Sequence, residues 1–303
     1  MTRRILCLFT RTPLHVGDEA KSGATDRPLL REKHTGLPVI PGATLQAVFA
    51  DAWSEPAPSG RGEEATWLFG PTPAAESNAG VLNFSDAVLL AFPVRSARGG
   101  FGWITSPQIL QRAARDGLVA LSLLPETPPA DDQAMFARLP LGMEAGQPPN
   151  VQTRIVLEEY TFARAGDLPA GLAQTMADML PGDPVWKEVA IRLVIVSDAT
   201  MSFFTQAACE VTRRMRVDPV TGTAAPGALF SQENVPSEAM FYAVLTCAAE
   251  NDPARKPEHQ RSPQDAARRF THKFQSLGPV FQIGGSGSIG QGLCTVEIRE
   301  PLP

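Results

Sequence analysis

Apolar residues along the chain fall into short runs separated by polar loops. A run from about Arg4 to Leu14 has the composition of a buried strand. After a loop of polar and small residues, apolar side chains recur at spacings of three and four, which predicts one buried helix face: Leu45, Val48, Phe49 and Trp53. Pro41 and Gly42 stand at the entry of this helix, where free backbone amides attract anions. This region is therefore predicted to be a strand, a loop and a helix.

The same patterns predict the remaining elements. Further strands are expected at residues 81–94, 102–105, 191–196, 241–249, 280–283 and 294–298, and further helices at 107–116 and 263–275. A turn signal at 218–222 inside residues 211–236 favours a β-hairpin. Residues 54–80 and 124–190 are rich in Pro and are interpreted as insertions. The alternation of strands and helices predicts an α+β, ferredoxin-like core, and we expect one domain over residues 1–303.

Composition narrows the class of protein. Hydrophobic residues make up 43% of the 303 and charged residues 19%, as in globular domains. No apolar run of about eighteen residues that could span a bilayer is present, so we expect no membrane segment and a cytoplasmic location. The cysteines have no CxxC spacing and are expected to be reduced fillers of the core: Cys7, Cys209, Cys247 and Cys294.

Net charge is −5, but it is unevenly distributed. Residues 1–50 carry a net charge of +3, whereas residues 121–210 carry −7. A basic surface for an anionic partner can therefore coexist with acidic insertions.

The loop at residues 15–40 places a carboxylate among cations. Asp26 lies near Arg27, Arg31 and Lys33. A carboxylate can hold a divalent ion or take a proton from a ribose 2′-hydroxyl, while cations offset the charge that develops on phosphorus. Asp26 is accordingly the candidate catalytic and metal-binding residue. The alternative is a solvated loop residue that pairs with Arg27.

Two further residues are candidates to assist this chemistry. His15 follows the first strand and Glu233 follows the hairpin, and both could orient a scissile nucleotide or a metal-bound water. A structural histidine and a locally paired glutamate are the alternatives. Other candidate phosphate contacts are spread along the chain: His34, Thr44, Arg95, Arg98, Arg213, Arg214 and Arg216.

A tract of glycine and serine lies near the end of the sequence: Gly284, Gly285, Ser286, Gly287, Gly290 and Gly292. It formally matches a dinucleotide-binding motif. Only 11 residues follow Gly292, too few for the helix, strand and ribose-binding acid that such a site requires. The amides of a glycine-rich loop can also approach phosphates closely, so RNA contact and a plain flexible turn remain the two interpretations.

Four stretches, in this order, resemble the backbone subunit of type III-B CRISPR effector complexes, within the RAMP superfamily. They are residues 12–17 with 26–42, residues 84–107, residues 211–236 and residues 284–292. The glycine tract and residues 12–17 are shared by many RNA-binding proteins of CRISPR systems. The runs 31–36 and 92–96 are typical of this subunit.

The resemblance implies a fold and a function. It implies an RRM-like RAMP core with a β-hairpin thumb, and a subunit that binds crRNA in a head-to-tail filament of copies of itself with other Cmr complex subunits. Complementary target RNA is expected to be cut at regular intervals, with Mg²⁺ or Mn²⁺ as cofactor and with the aspartate at position 26 required. The thumb is expected to wedge into the guide–target duplex and flip a base, and candidate wedge residues are Val217, Val220 and Leu229.

Two other functions remain open. The chain could be a crRNA-binding scaffold without catalysis, or a nuclease that processes the guide precursor. Gln46 stands where many relatives have lysine, and Val235 where many have an aromatic residue. These departures remove one phosphate contact and one stacking surface, and neither affects Asp26.

Overall fold

The computed structural model describes residues 1–17, 25–53, 61–71, 79–137, 140–145, 152–217, 224–251 and 256–303. Its strands are β1 (Thr2–Thr10), β2 (Val39–Ile40), β3 (Leu82–Phe84), β4 (Ala87–Ser96), β5 (Gly100–Thr105), β6 (Gln133–Phe136), β7 (Met143–Ala145), β8 (Gln152–Leu157), β9 (Tyr160–Gly166), β10 (Leu193–Ile195), β11 (Glu210–Val217), β12 (Ala224–Asn234), β13 (Met240–Cys247), β14 (Val280–Gln282) and β15 (Leu293–Arg299). Its α-helices are α1 (Gly42–Trp53), α2 (Glu63–Phe69), α3 (Pro107–Arg115), α4 (Leu172–Ala177), α5 (Val189–Arg192), α6 (Asp198–Ala207) and α7 (Pro263–Leu277).

Four antiparallel strands form the centre of the sheet, in the order β15-β1-β13-β4. Strand β1 is buried on both faces from Ile5 to Thr10, as its continuous apolar run predicts. The strand ends at Thr10 rather than at the predicted Leu14, and Leu14 instead makes an isolated bridge with Val235. The antiparallel sheet, together with the helices listed above, confirms the predicted α+β class.

Aromatic side chains join α1 and α7 to this sheet. Trp53 of α1 stacks on Phe270 of α7 with ring centroids 4.9 Å apart, and Phe49 packs edge-on against Phe281 at 5.1 Å. Burial of several such rings is a large stabilising contribution to a core. Helix α7 begins with a capping box formed by Ser262 and Asp265, which satisfies amides that the helix itself leaves unpaired.

A second group of strands closes into a ring in the order β4-β5-β10-β6-β9-β8, because β8 pairs back to β4 through Ser96 and Leu157. The ring contains parallel pairs, β10 with β5 and β6 with β9, among antiparallel ones. Four short strands within residues 124–190, β6 to β9, therefore belong to the main sheet, although the sequence suggested insertions with many breaks. The breaks reflect the shortness of these strands: Gly142 precedes β7 and Gly166 ends β9.

Strands β11 and β12 form a separate two-stranded hairpin, as predicted for residues 211–236. The described part of residues 54–80 includes the short helix α2, where the sequence indicated a loop with one docking element. Gln46 of α1 donates to the carbonyl of Phe69 at 3.0 Å, so the residue found in place of lysine ties these two helices together.

Candidate functional site

The hairpin carries different side chains on its two faces. Val211, Met215 and Leu229 lie on the outer face and are 59%, 56% and 69% exposed. The other face includes Gln232 and Asn234, which are fully buried against the body of the protein. Leu229 is thus exposed at a predicted wedge position, whereas Val220 and the side chain of Val217 lie outside the described residues.

Asp26 is attached to this hairpin through Ser231. The amide and the hydroxyl of Ser231 donate to the same carboxylate oxygen of Asp26, at 2.8 and 2.9 Å. The amide of Asp26 donates in return to the Ser231 hydroxyl at 3.0 Å. Because several bonds join the two residues, the carboxylate has a defined position although Asp26 lies in an exposed loop.

Arg27 continues this attachment through its backbone. Its amide donates to the carbonyl of Ser231, and its carbonyl accepts from the amide of Glu233, both at 3.0 Å. Arg27 therefore makes a parallel bridge to Gln232 on the edge of β12. The loop runs beside the hairpin for a short distance like an added strand.

Glu233 accepts hydrogen bonds from three places in the candidate loop. One carboxylate oxygen accepts from the amide of Leu29 at 2.9 Å, and the other accepts from the Arg31 guanidinium at 2.6 Å. Its backbone carbonyl accepts from His15 at 2.7 Å. Both carboxylate oxygens thus have protein partners, which favours the locally paired glutamate over the predicted role of orienting a nucleotide or a metal-bound water.

The ring of His15 has a defined tautomer. Because a carbonyl only accepts, the Nδ1 that contacts Glu233 carries the proton and Nε2 has a free lone pair. Burial, followed by the nearby charges of Arg27 and Arg214, lowers the pKa of His15 against the opposing effect of its hydrogen bond. The imidazole is therefore neutral near pH 7, and its Nε2 can accept a hydrogen bond from a hydroxyl.

The glycine tract packs against the segment that holds His15. Gly285 donates its amide to the carbonyl of His15 at 2.9 Å, and Gly292 donates to the carbonyl of Pro13 at 3.0 Å. Gly284 has φ +75°, and a Cβ there would lie 2.4 Å from the His15 carbonyl oxygen. These amides and this close approach serve packing. Gly287 and Gly290 are exposed, but the amide of Gly290 donates to the carbonyl of Gly287 at 2.9 Å.

A buried chain of amide side chains links the tract to the hairpin. Gln232 donates to Gln291 at 3.0 Å and to Asn234 at 2.8 Å. Asn234 in turn donates to the hydroxyl of Thr212 at 3.2 Å. The three bonds restrict how the tract and the hairpin pack together, although the buried side-chain oxygen of Gln232 has no hydrogen-bond partner within the described residues.

Several predicted phosphate contacts have protein partners instead. Arg31 is half-buried and binds Glu233 and the carbonyls of Gly36 and Thr205. The amide of Gly42 donates to the carboxylate of Asp86 at 2.8 Å, so the first amide of α1 is not free for an anion as the sequence suggested. Arginine forms the most geometrically specific of these contacts because its planar fork presents donors in fixed directions.

The remaining candidate phosphate contacts lie in three places: near the start of α1, on the six-strand ring and on β11. Lys33 and His34 are exposed, and Thr44 is partly exposed in the first turn of α1. On the six-strand ring, Arg95 pairs with Glu158 at 3.1 Å and Arg98 donates to the carbonyl of Gly142 at 2.8 Å. Three arginines lie on β11: Arg213 is exposed, Arg214 is partly buried, and the side chain of Arg216 lies outside the described residues.

The predicted metal site has few protein ligands. Within the described ranges, no group of three or more His, Cys, Asp or Glu side chains is arranged to hold an ion. One oxygen of Asp26 and both oxygens of Glu233 already accept hydrogen bonds. The described residues therefore do not supply a closed set of metal ligands, and a divalent ion at Asp26 stays a prediction.

The described residues also show the state of the cysteines and whether any helix could span a membrane. The four cysteines are free, and three are buried, as predicted. No helix in the described ranges has the length and apolar character needed to cross a bilayer.

Sequence reasoning missed Ser231 and the amide network. Ser231 sits between a phenylalanine and a glutamine without any recognisable motif. Its partner lies 205 residues earlier, so no local pattern could identify the contact.

Comparisons with known proteins agree on one family. The RAMP superfamily pattern matches residues 8–295. The CRISPR system Cmr endoribonuclease Cmr4 of Pyrococcus furiosus is 28% identical over 306 residues, which cover 99% of this chain and 97% of that protein. The crystal structure of oligomeric Cmr4 from Pyrococcus furiosus has a TM-score of 0.68 at 24% identity, over 100% of both chains. A type III-B Cmr-beta structure bound to cognate target RNA has a TM-score of 0.68 at 16% identity, over 98% of this chain and 97% of the other.

Proposed function

This chain belongs to the RAMP superfamily, and we propose that it is a backbone subunit of a type III-B CRISPR effector complex. In this role it binds crRNA along a filament and cleaves complementary target RNA at regular intervals. The similarity to Cmr4 over nearly the full length of both chains supports this assignment. The observation that carries the catalytic part is that one strand, β12, holds both Asp26, through Ser231, and a neutral His15, through the Glu233 carbonyl.

The four antiparallel strands with α1 and α7 are assigned here to the ferredoxin-like, RRM-like core. The hairpin of β11 and β12 is assigned to the thumb. Partners are crRNA, target RNA, other Cmr subunits and further copies of this chain in a cytoplasmic complex. Copies that polymerise along one RNA require a head-to-tail interface, because a two-fold interface would close after two subunits.

The chain's own groups suggest how a 2′-hydroxyl could attack the neighbouring phosphate. In this mechanism Asp26 accepts the proton from the 2′-hydroxyl, and the lone pair on Nε2 of His15 helps to orient that hydroxyl. The 2′-oxygen bonds to phosphorus, the bond to the 5′-oxygen breaks, and that oxygen takes a proton from water, which leaves a 2′,3′-cyclic phosphate and a 5′-hydroxyl. Arg27 and Arg214, whose charges already act on His15, offset the negative charge that develops on the phosphorane.

Divalent metal at Asp26 remains a prediction. Mg²⁺ commonly binds one or two carboxylates together with substrate phosphates and water. Asp26 could supply a carboxylate, and the RNA would have to supply the other ligands, since the described residues do not form a closed set. When bound, the ion would supply charge stabilisation, and none of the steps above requires it.

A non-catalytic crRNA-binding scaffold is the alternative. The hydrogen bonds from Ser231 to Asp26 favour it in one respect, because they give the carboxylate a structural role in joining loop and hairpin. Under this alternative, loss of Asp26 would alter assembly but leave cutting unchanged.

The test is cleavage of a labelled complementary RNA by the reconstituted guide-bound complex. Wild type is compared with Asp26→Ala and with Asp132→Ala, which removes an exposed carboxylate elsewhere. Regularly spaced products that disappear only with Asp26→Ala, while crRNA retention is unchanged, would support the nuclease. Unchanged products from Asp26→Ala would support the non-catalytic scaffold. A chelator added to the wild-type complex tests the metal separately.

A further inference from the structure

The guanidinium of Arg27 lies over an aromatic ring of the hairpin. Its guanidinium carbon is 4.1 Å from the centroid of the Phe230 ring. Arginine over an aromatic face is a favourable cation–π arrangement, and both groups are planar. Arg27 is an exposed residue and Phe230 is partly buried beneath it, so the cationic group of the pair is accessible to a ligand.

Backbone hydrogen bonds anchor the pair next in sequence to the candidate catalytic carboxylate. Arg27 follows Asp26 in sequence and is bonded through both backbone groups to β12. Phe230 precedes Ser231, which binds Asp26 through its amide and hydroxyl. The stacked surface and the carboxylate therefore share the same short backbone anchors, so their relative positions are fixed.

A stacking surface is useful at this position for a chemical reason. Attack by a 2′-hydroxyl requires the hydroxyl, the phosphorus and the leaving oxygen to be in line, and the A-form helix does not hold them so. A nucleotide at the cut must leave its stack, and protein surfaces that receive unpaired RNA bases are aromatic rings and guanidinium planes. Val235, close to this segment of β12, is aliphatic and only 2% exposed, so it cannot provide such a surface.

We propose that the guanidinium of Arg27, backed by Phe230, is the surface on which an unpaired target base stacks next to the bond that is cut. Arg27 then contributes through its planar shape as well as through its charge. This proposal rests on the proposed function, since it concerns the substrate of that site.

A charge-conserving substitution separates shape from charge. Arg27→Lys keeps the positive charge and removes the plane, whereas Arg27→Ala removes both; Arg115→Lys is the matched control on α3. Single-turnover cleavage by the guide-bound complex is measured on an intact target and on targets with an abasic site on either side of the cut. We expect Arg27→Lys to lose about tenfold in rate on the intact target. The loss should vanish on one abasic target, because there is no base left to stack.

Equal rates for wild type and Arg27→Lys on the intact target would overturn the proposal and leave Arg27 as a phosphate contact. A loss that persists on both abasic targets would also overturn it.

The fluorescence of 2-aminopurine placed beside the cut measures stacking independently of cleavage. It is recorded in an Asp26→Ala complex that binds target without cutting. Quenching that is relieved by Arg27→Lys or by Phe230→Leu supports the proposal, and unchanged fluorescence contradicts it. Absence of cutting by the wild type would refute the nuclease, whereas the fluorescence result would still decide the stacking.

Discussion

Ser231 donates both its amide and its hydroxyl to one carboxylate oxygen of Asp26, at 2.8 and 2.9 Å, across 205 residues of sequence. This contact joins the loop that carries the candidate catalytic group to the hairpin that would insert into a guide–target duplex. Movement of the hairpin would therefore move the carboxylate with it.

Removal of the Ser231 hydroxyl should loosen Asp26 without removing it. We expect Ser231→Ala to lower the single-turnover rate of target cleavage by about ten- to a hundredfold, because small displacements of a catalytic group have effects of this size. Target affinity should change little, and Ser231→Thr should restore the rate. Ser276→Ala on α7 removes an exposed hydroxyl as the control. A rate for Ser231→Ala equal to that of the control would show that the hydroxyl does not position the carboxylate.

The ion pair between Arg31 and Glu233 should contribute to stability. Their side chains are only 19% and 14% exposed, so Glu233→Ala leaves a largely buried guanidinium and the amide of Leu29 without their partner. We expect the free energy of unfolding to fall by about 2–3 kcal/mol in urea titrations.

The control for that measurement is Glu159→Ala, because the Glu159 side chain is 74% exposed. Its effect should stay within about 0.5 kcal/mol. Similar small changes for both variants would mean that Glu233 is not a structural anchor and would return it to the catalytic candidates.

Two glycines of the tract allow a matched comparison. Gly284 and Gly290 have similar φ angles, +75° and +79°. A Cβ at Gly284 would lie 2.4 Å from the carbonyl oxygen of His15, whereas a Cβ at Gly290 would have no heavy atom within 4 Å. Gly290→Ala should cost about 1–2 kcal/mol of backbone strain. Gly284→Ala should cost clearly more in urea unfolding and should also displace His15. Equal costs would indicate that the tract does not pack closely on the His15 segment.

Stability should depend on pH through Glu238. Burial, with a smaller effect of the Asp183 charge, raises the pKa of Glu238 from 4.5 to about 7. Between these values the folded protein holds a proton that the unfolded chain releases, so this contribution to stability is present below pH 4.5 and is lost as pH rises to about 7.

Glu238→Gln removes the titration and keeps a side chain of similar size. We expect its gain in unfolding free energy over the wild type to be larger at pH 8 than at pH 5, measured by urea titration in matched buffers. Glu159→Gln, at an exposed carboxylate, should show no such trend. Parallel pH curves for Glu238→Gln and the wild type would contradict the raised pKa.

Local patterns in the sequence were sufficient for much of the fold. The continuous apolar run of β1 and the apolar spacing of Leu45, Val48, Phe49 and Trp53 each identify an element, because side-chain periodicity is set by the geometry of strands and helices. The hairpin of β11 and β12 was also predictable, since its turn signal is local. The closed ring of six strands was not, because pairing of β8 with β4 joins distant segments and leaves no periodic trace.

The sequence by itself determined the α+β class, the family resemblance and the choice of Asp26 as the candidate carboxylate. Only the tertiary structure decided what surrounds that carboxylate: Ser231 holds it, Glu233 accepts from Arg31 and Leu29, and the Arg27 guanidinium lies over the Phe230 ring. The physical reason is that residue type and spacing report local backbone geometry. Hydrogen bonds between segments more than 200 residues apart depend instead on how the whole sheet folds.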